Sequence, residues 1–169
     1  MTAETLTNSV MSVGSTHGLS HTLKVWHRKY EIAAQVEDGD IFELGYLPAN
    51  CMVVGGWVAT DDMDTGAEAL DIDVGWAAVG GSETYTDPES GVTYTNAAAS
   101  ASATGLCNVG TMTGDGTPEV YQAAVNYRAI VLPDPLYFSK QTKIQIEANT
   151  AAATFAAGTF GVYLLYYCL

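Results

Sequence analysis

The sequence predicts an all-β protein, an antiparallel β-sandwich of roughly eight strands preceded by an extended N-terminal arm. Three observations predict it. Val, Ile, Tyr and Trp are plentiful in a chain that is 48% hydrophobic and only 15% charged, a composition that favours strands and is too apolar for disorder. Short apolar runs recur between turns rich in Gly, Pro and Asp, several of them alternating with a period of two. No stretch shows a long amphipathic helical period. At 169 residues the chain suits one domain, residues 23–169, because a domain of this size hides roughly two-thirds of its unfolded surface.

Residues 1–22 are rich in Ser, Thr and Gly, with Leu6, Val10, Met11, Val13 and Leu19 at no regular period. They read as an arm that frays or orders against a neighbouring subunit. Leu23–Ile32 crowds bulky residues together and predicts the first strand. Asp40–Pro48 predicts a second, stopped by Pro48, whose ring removes a donor. Met52–Ala59 and Ala69–Trp76 follow. In the latter, Leu70, Ile72, Val74 and Trp76 alternate with Asp71, Asp73 and Gly75, so one face is core and the other wet. The Asp- and Gly-rich Thr60–Gly66 between them suits a turn, and the pair reads as an antiparallel hairpin with a long tip.

Gly80–Gly116 is rich in small residues and predicts long connections. Within it Asn96–Gly105 suits a short helix of a few turns closed by Gly105. Val120–Leu132 resumes an apolar pattern that ends hard at Pro133-Asp134-Pro135. Lys143–Glu147 alternates with Ile144 and Ile146 inward. Gly158–Leu169 is apolar on both faces, which places it between two layers or between a sheet and a partner.

The formal net charge is -13. Sixteen of the nineteen carboxylates fall between Lys29 and Arg128, where no Lys or Arg occurs. Nucleic-acid binding needs clustered cations, and the sequence offers only the short group Lys24, Arg28 and Lys29, so nucleic acid is not an expected partner. Membrane insertion is not expected either, since the apolar Phe160–Leu169 falls short of the roughly 20 residues a spanning helix needs. Met1–Val10 has neither a basic leader nor an apolar run, so synthesis in a cytoplasm is expected. Cys51, Cys107 and Cys168 are widely spaced in apolar surroundings and read as reduced, buried thiols.

Few constellations could carry chemistry. Asp64-Thr65-Gly66-Ala67 matches the aspartic-protease signature, whose carboxylate shares a proton with a mate inside an apolar shell. Here Asp61, Asp62 and Glu68 would add like charge and water, so a polar hairpin tip is the better reading. Asp62, Asp64, Asp71 and Asp73 supply the hard oxygens that Ca²⁺ takes and form a candidate metal set. The loop departs from an EF-hand, because Gly66 and Ala67 stand where an oxygen ligand and a glycine are needed. His17, His21 and His27 could be presented as metal ligands, but Gly18 breaks the helix that would align the first two. No catalytic residue and no cofactor is expected. Trp26, Trp57 and Trp76 with ten tyrosines are more than a small sandwich core encloses, so some should face partners.

Asp40–Pro48, Val53–Val58, Asp62–Gly66 and Ala69–Trp76 together resemble a segment of small structural proteins of tailed bacteriophages. In this the chain is similar to head decoration, or cement, proteins. The resemblance implies a jelly-roll-like sandwich that binds the outer surface of an assembled capsid, often as a homotrimer, and braces it. It implies the major capsid protein and other copies of the chain as partners, and the virion as location. The expected contact residues are Leu6, Val10, Val13 and Leu19 of the arm with Lys24, Trp26, Arg28 and Lys29. The rival reading is a carbohydrate-binding or tail-fibre module whose exposed aromatics stack on sugar rings.

Overall fold

The computed structural model describes residues 22–61, 63–65, 69–111 and 126–169. These residues form eleven strands: β1 (Lys24–Ile32), β2 (Ile41–Leu47), β3 (Cys51–Thr60), β4 (Asp71–Trp76), β5 (Thr84–Thr86), β6 (Thr93–Thr95), β7 (Ser102–Thr111), β8 (Asn126–Ile130), β9 (Leu136–Phe138), β10 (Thr142–Thr150) and β11 (Gly158–Cys168). One sheet runs β1-β11-β3-β8 and the other β2-β10-β4-β7, with every pairing antiparallel. Taken in chain order, the eight strands of these two paths fold back on themselves: the first pairs the last, the second the next to last, the third the sixth and the fourth the fifth. That interleaving is the winding of a jelly roll, and the expected antiparallel sandwich is therefore the observed fold.

Alternation explains the layers. Trp26 and Ile32 of β1, Val58 of β3, and Phe160, Val162 and Leu164 of β11 point into the space between the sheets, against Phe42, Leu44, Ile72, Val74, Ile144 and Ile146 of the facing layer. Each fully buried aliphatic side chain contributes about 2 kcal/mol. The two core indoles keep their N–H groups satisfied: Trp26 Nε1 donates to the Tyr46 carbonyl at 2.9 Å and Trp76 Nε1 to the Ser100 carbonyl at 3.0 Å. β11 is central, flanked by β1 and β3; Phe160, Val162 and Leu164 are buried between the sheets, while Tyr163, Leu165 and Tyr167 of its other face are half-buried.

Three expectations change. β3 and β4 do not form a hairpin: β3 pairs β11, β8 and β9, whereas β4 pairs β10 and β7 in the other sheet. Their connection crosses between layers instead of closing a ladder. The Ala-rich run yields a single 3₁₀ turn, Ala97–Ala99, capped by the Asn96 side chain. Gly105, expected to close a helix, lies inside β7, where a Cβ would stand 2.2 Å from the Trp76 ring. The outer face of β4 is not wet, since Asp73 is 3% exposed. Beyond the core sandwich, β5 and β6 form a two-stranded ribbon. β8 and β9 line the same edge of β3, interrupted at Pro133 and Pro135, which cannot donate to a ladder.

Candidate functional site

The strongest feature lies where β1 and β2 meet at one side of the sandwich. Lys24 and Arg28 project with Trp26 toward the facing sheet, while Lys29 projects with His27 from the outer face. The Arg28 guanidinium sits 5.4 Å from the Trp26 ring centre and donates through Nη1 to the His27 carbonyl at 2.8 Å. Across a cleft of about 450 Å³ lined by Glu43, Tyr46 and Gln141 stands Lys143 of β10. Its ammonium pairs with Glu43, which raises its pKa, and lies 5.9 Å from the Tyr46 ring. Lys24 Nζ donates to Cys168 Sγ at 3.2 Å, which raises the Lys24 pKa.

Local backbone builds this cleft. β2 bulges against β10 between the pairs Ile144–Gly45 and Gln145–Glu43, and Gly45 takes a φ of +132°. A Cβ at Gly45 would stand 3.3 Å from Arg28 Nε, so glycine supplies both the conformation and the room for the guanidinium. Two of the chain's six cations, Arg28 and Lys143, thus line one cleft of an acidic molecule, while Lys24 of the same face of β1 reaches Cys168 and Lys29 stands on the outer face. Sequence reasoning found three and missed Lys143, which lies far along the chain and is joined to them only by the β2–β10 ladder.

Trp26, expected among the contact residues, is 4% exposed and belongs to the core, because strand alternation turns it inward. The half-buried aromatic on the outer face is instead Trp57. It stacks on Tyr163 at 4.8 Å, and Tyr163 stacks on His27 at 3.8 Å, in a row across β3, β11 and β1. Burial, then Lys29 and Arg28, lower the His27 pKa. Exposed Val25 of β1 and Val54 of β3 belong to the same sheet. Leu6, Val10, Val13, Leu19, His17 and His21 lie outside the described residues.

The acidic candidates separate. Asp62 lies outside the described residues. The Asp64 carboxylate accepts from four backbone N–H groups, those of Ala69, Leu70, Ala153 and Thr154, at 2.7–3.1 Å. Burial pushes its pKa up, but the four amides outweigh burial and hold it down at about 2. This carboxylate ties two loops together and has no proton to share with a catalytic mate. Asp71 and Asp73 stand elsewhere, side by side on the outer face of β4, with Asp73 Oδ2 accepting from the Asn149 amide. Burial, then Asp73, raise the Asp71 pKa. Among the described residues no three His, Cys, Asp or Glu side chains converge as a metal set. Cys51, Cys107 and Cys168 are free thiols, and burial, then the charge at Cys168, push Cys51 up to about 12.

Among the described residues no helix is long and apolar enough to cross a membrane. The sequence matches no protein-family model and no curated protein. The structure is similar to a chain of the Cyanophage Pam1 capsid asymmetric unit, with a TM-score of 0.58 and 20% identity over 93% of this chain and 92% of that one. It is also similar to a chain of the capsid of Ralstonia phage GP4, with a TM-score of 0.61 and 21% identity over 92% of this chain and 90% of that one. At these identities the likeness establishes a common fold, and that fold runs through most of each chain.

Proposed function

We propose that this chain is a non-catalytic structural component of a phage virion, a decoration subunit that binds the outer surface of the head through the major capsid protein and through other copies of itself. The observation that carries the reading is the sandwich shared, nearly end to end, with chains of two phage capsids. The cationic cleft of Arg28 and Lys143 adds a surface suited to an acidic partner segment, and residues 1–22, read from the sequence as an arm, would supply contacts to neighbours. Many weak contacts repeated over a lattice bind through avidity. The glycan-binding alternative draws less support, because Tyr163 has both ring faces covered by Trp57 and His27 and cannot lie flat against a sugar.

Multi-angle light scattering of the purified chain, followed by cosedimentation with capsids that lack it, tests the reading. A trimer that saturates the capsids, with occupancy lost on deleting residues 1–22, is the expected result. A monomer that stays in the supernatant would overturn it.

A further inference from the structure

β4 carries two carboxylates on one outer face. Asp71 and Asp73 are two residues apart, which places them about 7 Å apart along a strand and on the same side. Glu147 of β10 is the cross-strand partner of Asp73, so a third acid borders the pair. The two salt bridges among the described residues are Lys140–Glu83 and Lys143–Glu43, and neither involves this group.

Asp73 is 97% buried by its 3% exposure, yet its Oδ1 has no hydrogen-bond partner, and the same holds for the buried Oδ1 of Asp71. A buried carboxylate oxygen without a donor is costly, and two adjacent ones repel each other as well. The backbone on either side is irregular in a specific way. β10 bulges so that Asn149 is the extra residue between the pairs Ala148–Ile72 and Thr150–Asp71, and β7 bulges between the pairs Gly110–Ile72 and Asn108–Asp73. Bulges re-aim side chains, and the first one delivers the Asn149 amide to Asp73.

From this arrangement we infer that Asp71, Asp73 and Asn149 form a binding site for a hard divalent cation, with Ca²⁺ as the ion the donors suit. All are oxygen donors once the Asn149 amide, which now donates to Asp73 Oδ2, gives up that bond and turns its carbonyl oxygen toward the ion, whose charge replaces the lost N–H. Neither His nor Cys belongs to the group, which disfavours Zn²⁺. Ca²⁺ accepts an irregular set of six to eight oxygens completed by water. The bound ion would neutralise the pair and clamp β4 to the bulge of β10. The site is narrower than the four-aspartate set read from sequence, since Asp64 is committed to backbone amides. It does not depend on the capsid-binding role.

The test is thermal unfolding and calorimetric titration of the full chain, stripped with a chelator, against CaCl₂ and against NaCl of matched ionic strength. The expected result is a saturable Ca²⁺-specific rise in Tm of about 5–10 °C at a hundredfold excess over Kd, lost in Asp73→Asn and in Asp71→Asn. The half-buried Asp71 provides the second variant should Asp73→Asn fail to fold. An equal shift with NaCl would mean general screening of an acidic protein and would overturn the site. A Ca²⁺ response retained in both variants, or absent from the wild type, would overturn it too.

Discussion

At Asp64 two forces act on one carboxyl: burial favours its protonated form, and four backbone N–H groups favour the anion and win, holding the pKa at about 2. Linkage turns this into a pH dependence. The folded pKa lies below the unfolded one, so the stabilisation is complete above about pH 4 and is lost as pH falls through about 2. A displacement of nearly two pH units corresponds to about 2 kcal/mol. Asp64→Asn keeps the shape but replaces one acceptor oxygen by an NH₂ group facing the N–H donors, with an expected loss of about 2–4 kcal/mol at pH 7. Urea unfolding from pH 7 to pH 2 measures it: the wild type should approach the variant as the acid limit is reached. Two curves that stay parallel would show that the carboxylate does not carry this stabilisation. The D-T-G-A spelling at Asp64 invited a catalytic reading because sequence shows the side chain and not the four amides, two of which come from Ala153 and Thr154 far along the chain.

Among the elements, β4 shows how tightly the sheets constrain their members. A Cβ on Gly75 would fall 1.8 Å from the Ser102 carbonyl oxygen and 2.3 Å from that of Ala103, so Gly75→Ala would force the start of β7 away from β4. The expected loss is about 3 kcal/mol, read as a lower urea midpoint; an unchanged midpoint would mean that β7 yields freely there. Much of β1, β2, β4, β10 and β11 was legible, because a period of two marks apolar faces without reference to partners. The pairing was not legible. Alternation in Ile72, Val74 and Trp76 identifies an inward face but not the sheet that owns it, and proximity along the chain favoured a hairpin with β3. The jelly roll instead pairs each strand with one distant in sequence, as Lys24 with Tyr166 and Ile41 with Glu147. The same long-range logic hid Lys143 from the cationic group and Asn149 from Asp73.

Over the whole molecule, charge is segregated. Asp61 and Asp64 follow β3 and Asp71 and Asp73 lie on β4, whereas Arg28 and Lys143 share the cleft at the β1–β2 side. A chain of net charge -13 would be repelled at long range by an acidic lattice, so under the proposed function attachment through opposite charge would draw on its few cations, of which Arg28 and Lys143 share one cleft. Its residues are also well placed to specify orientation: Arg28 is held by the His27 carbonyl and the Trp26 ring, and Lys143 by Glu43 and Tyr46. The double variant Arg28→Glu with Lys143→Glu should therefore bind undecorated capsids about 10–100-fold more weakly than the wild type. Wild-type affinity should fall as NaCl is raised, while the variant's falls less steeply. Quantitative cosedimentation across a salt series reads both effects, and the neutral pair Arg28→Gln with Lys143→Gln should fall between the two because it removes attraction without adding repulsion. A matched urea midpoint for each variant establishes that binding, not folding, has changed. Equal affinity of wild type and charge-reversed variant at low salt would remove the cationic cleft from the attachment surface and leave the outer face of His27, Tyr163 and Trp57 as the next to mutate.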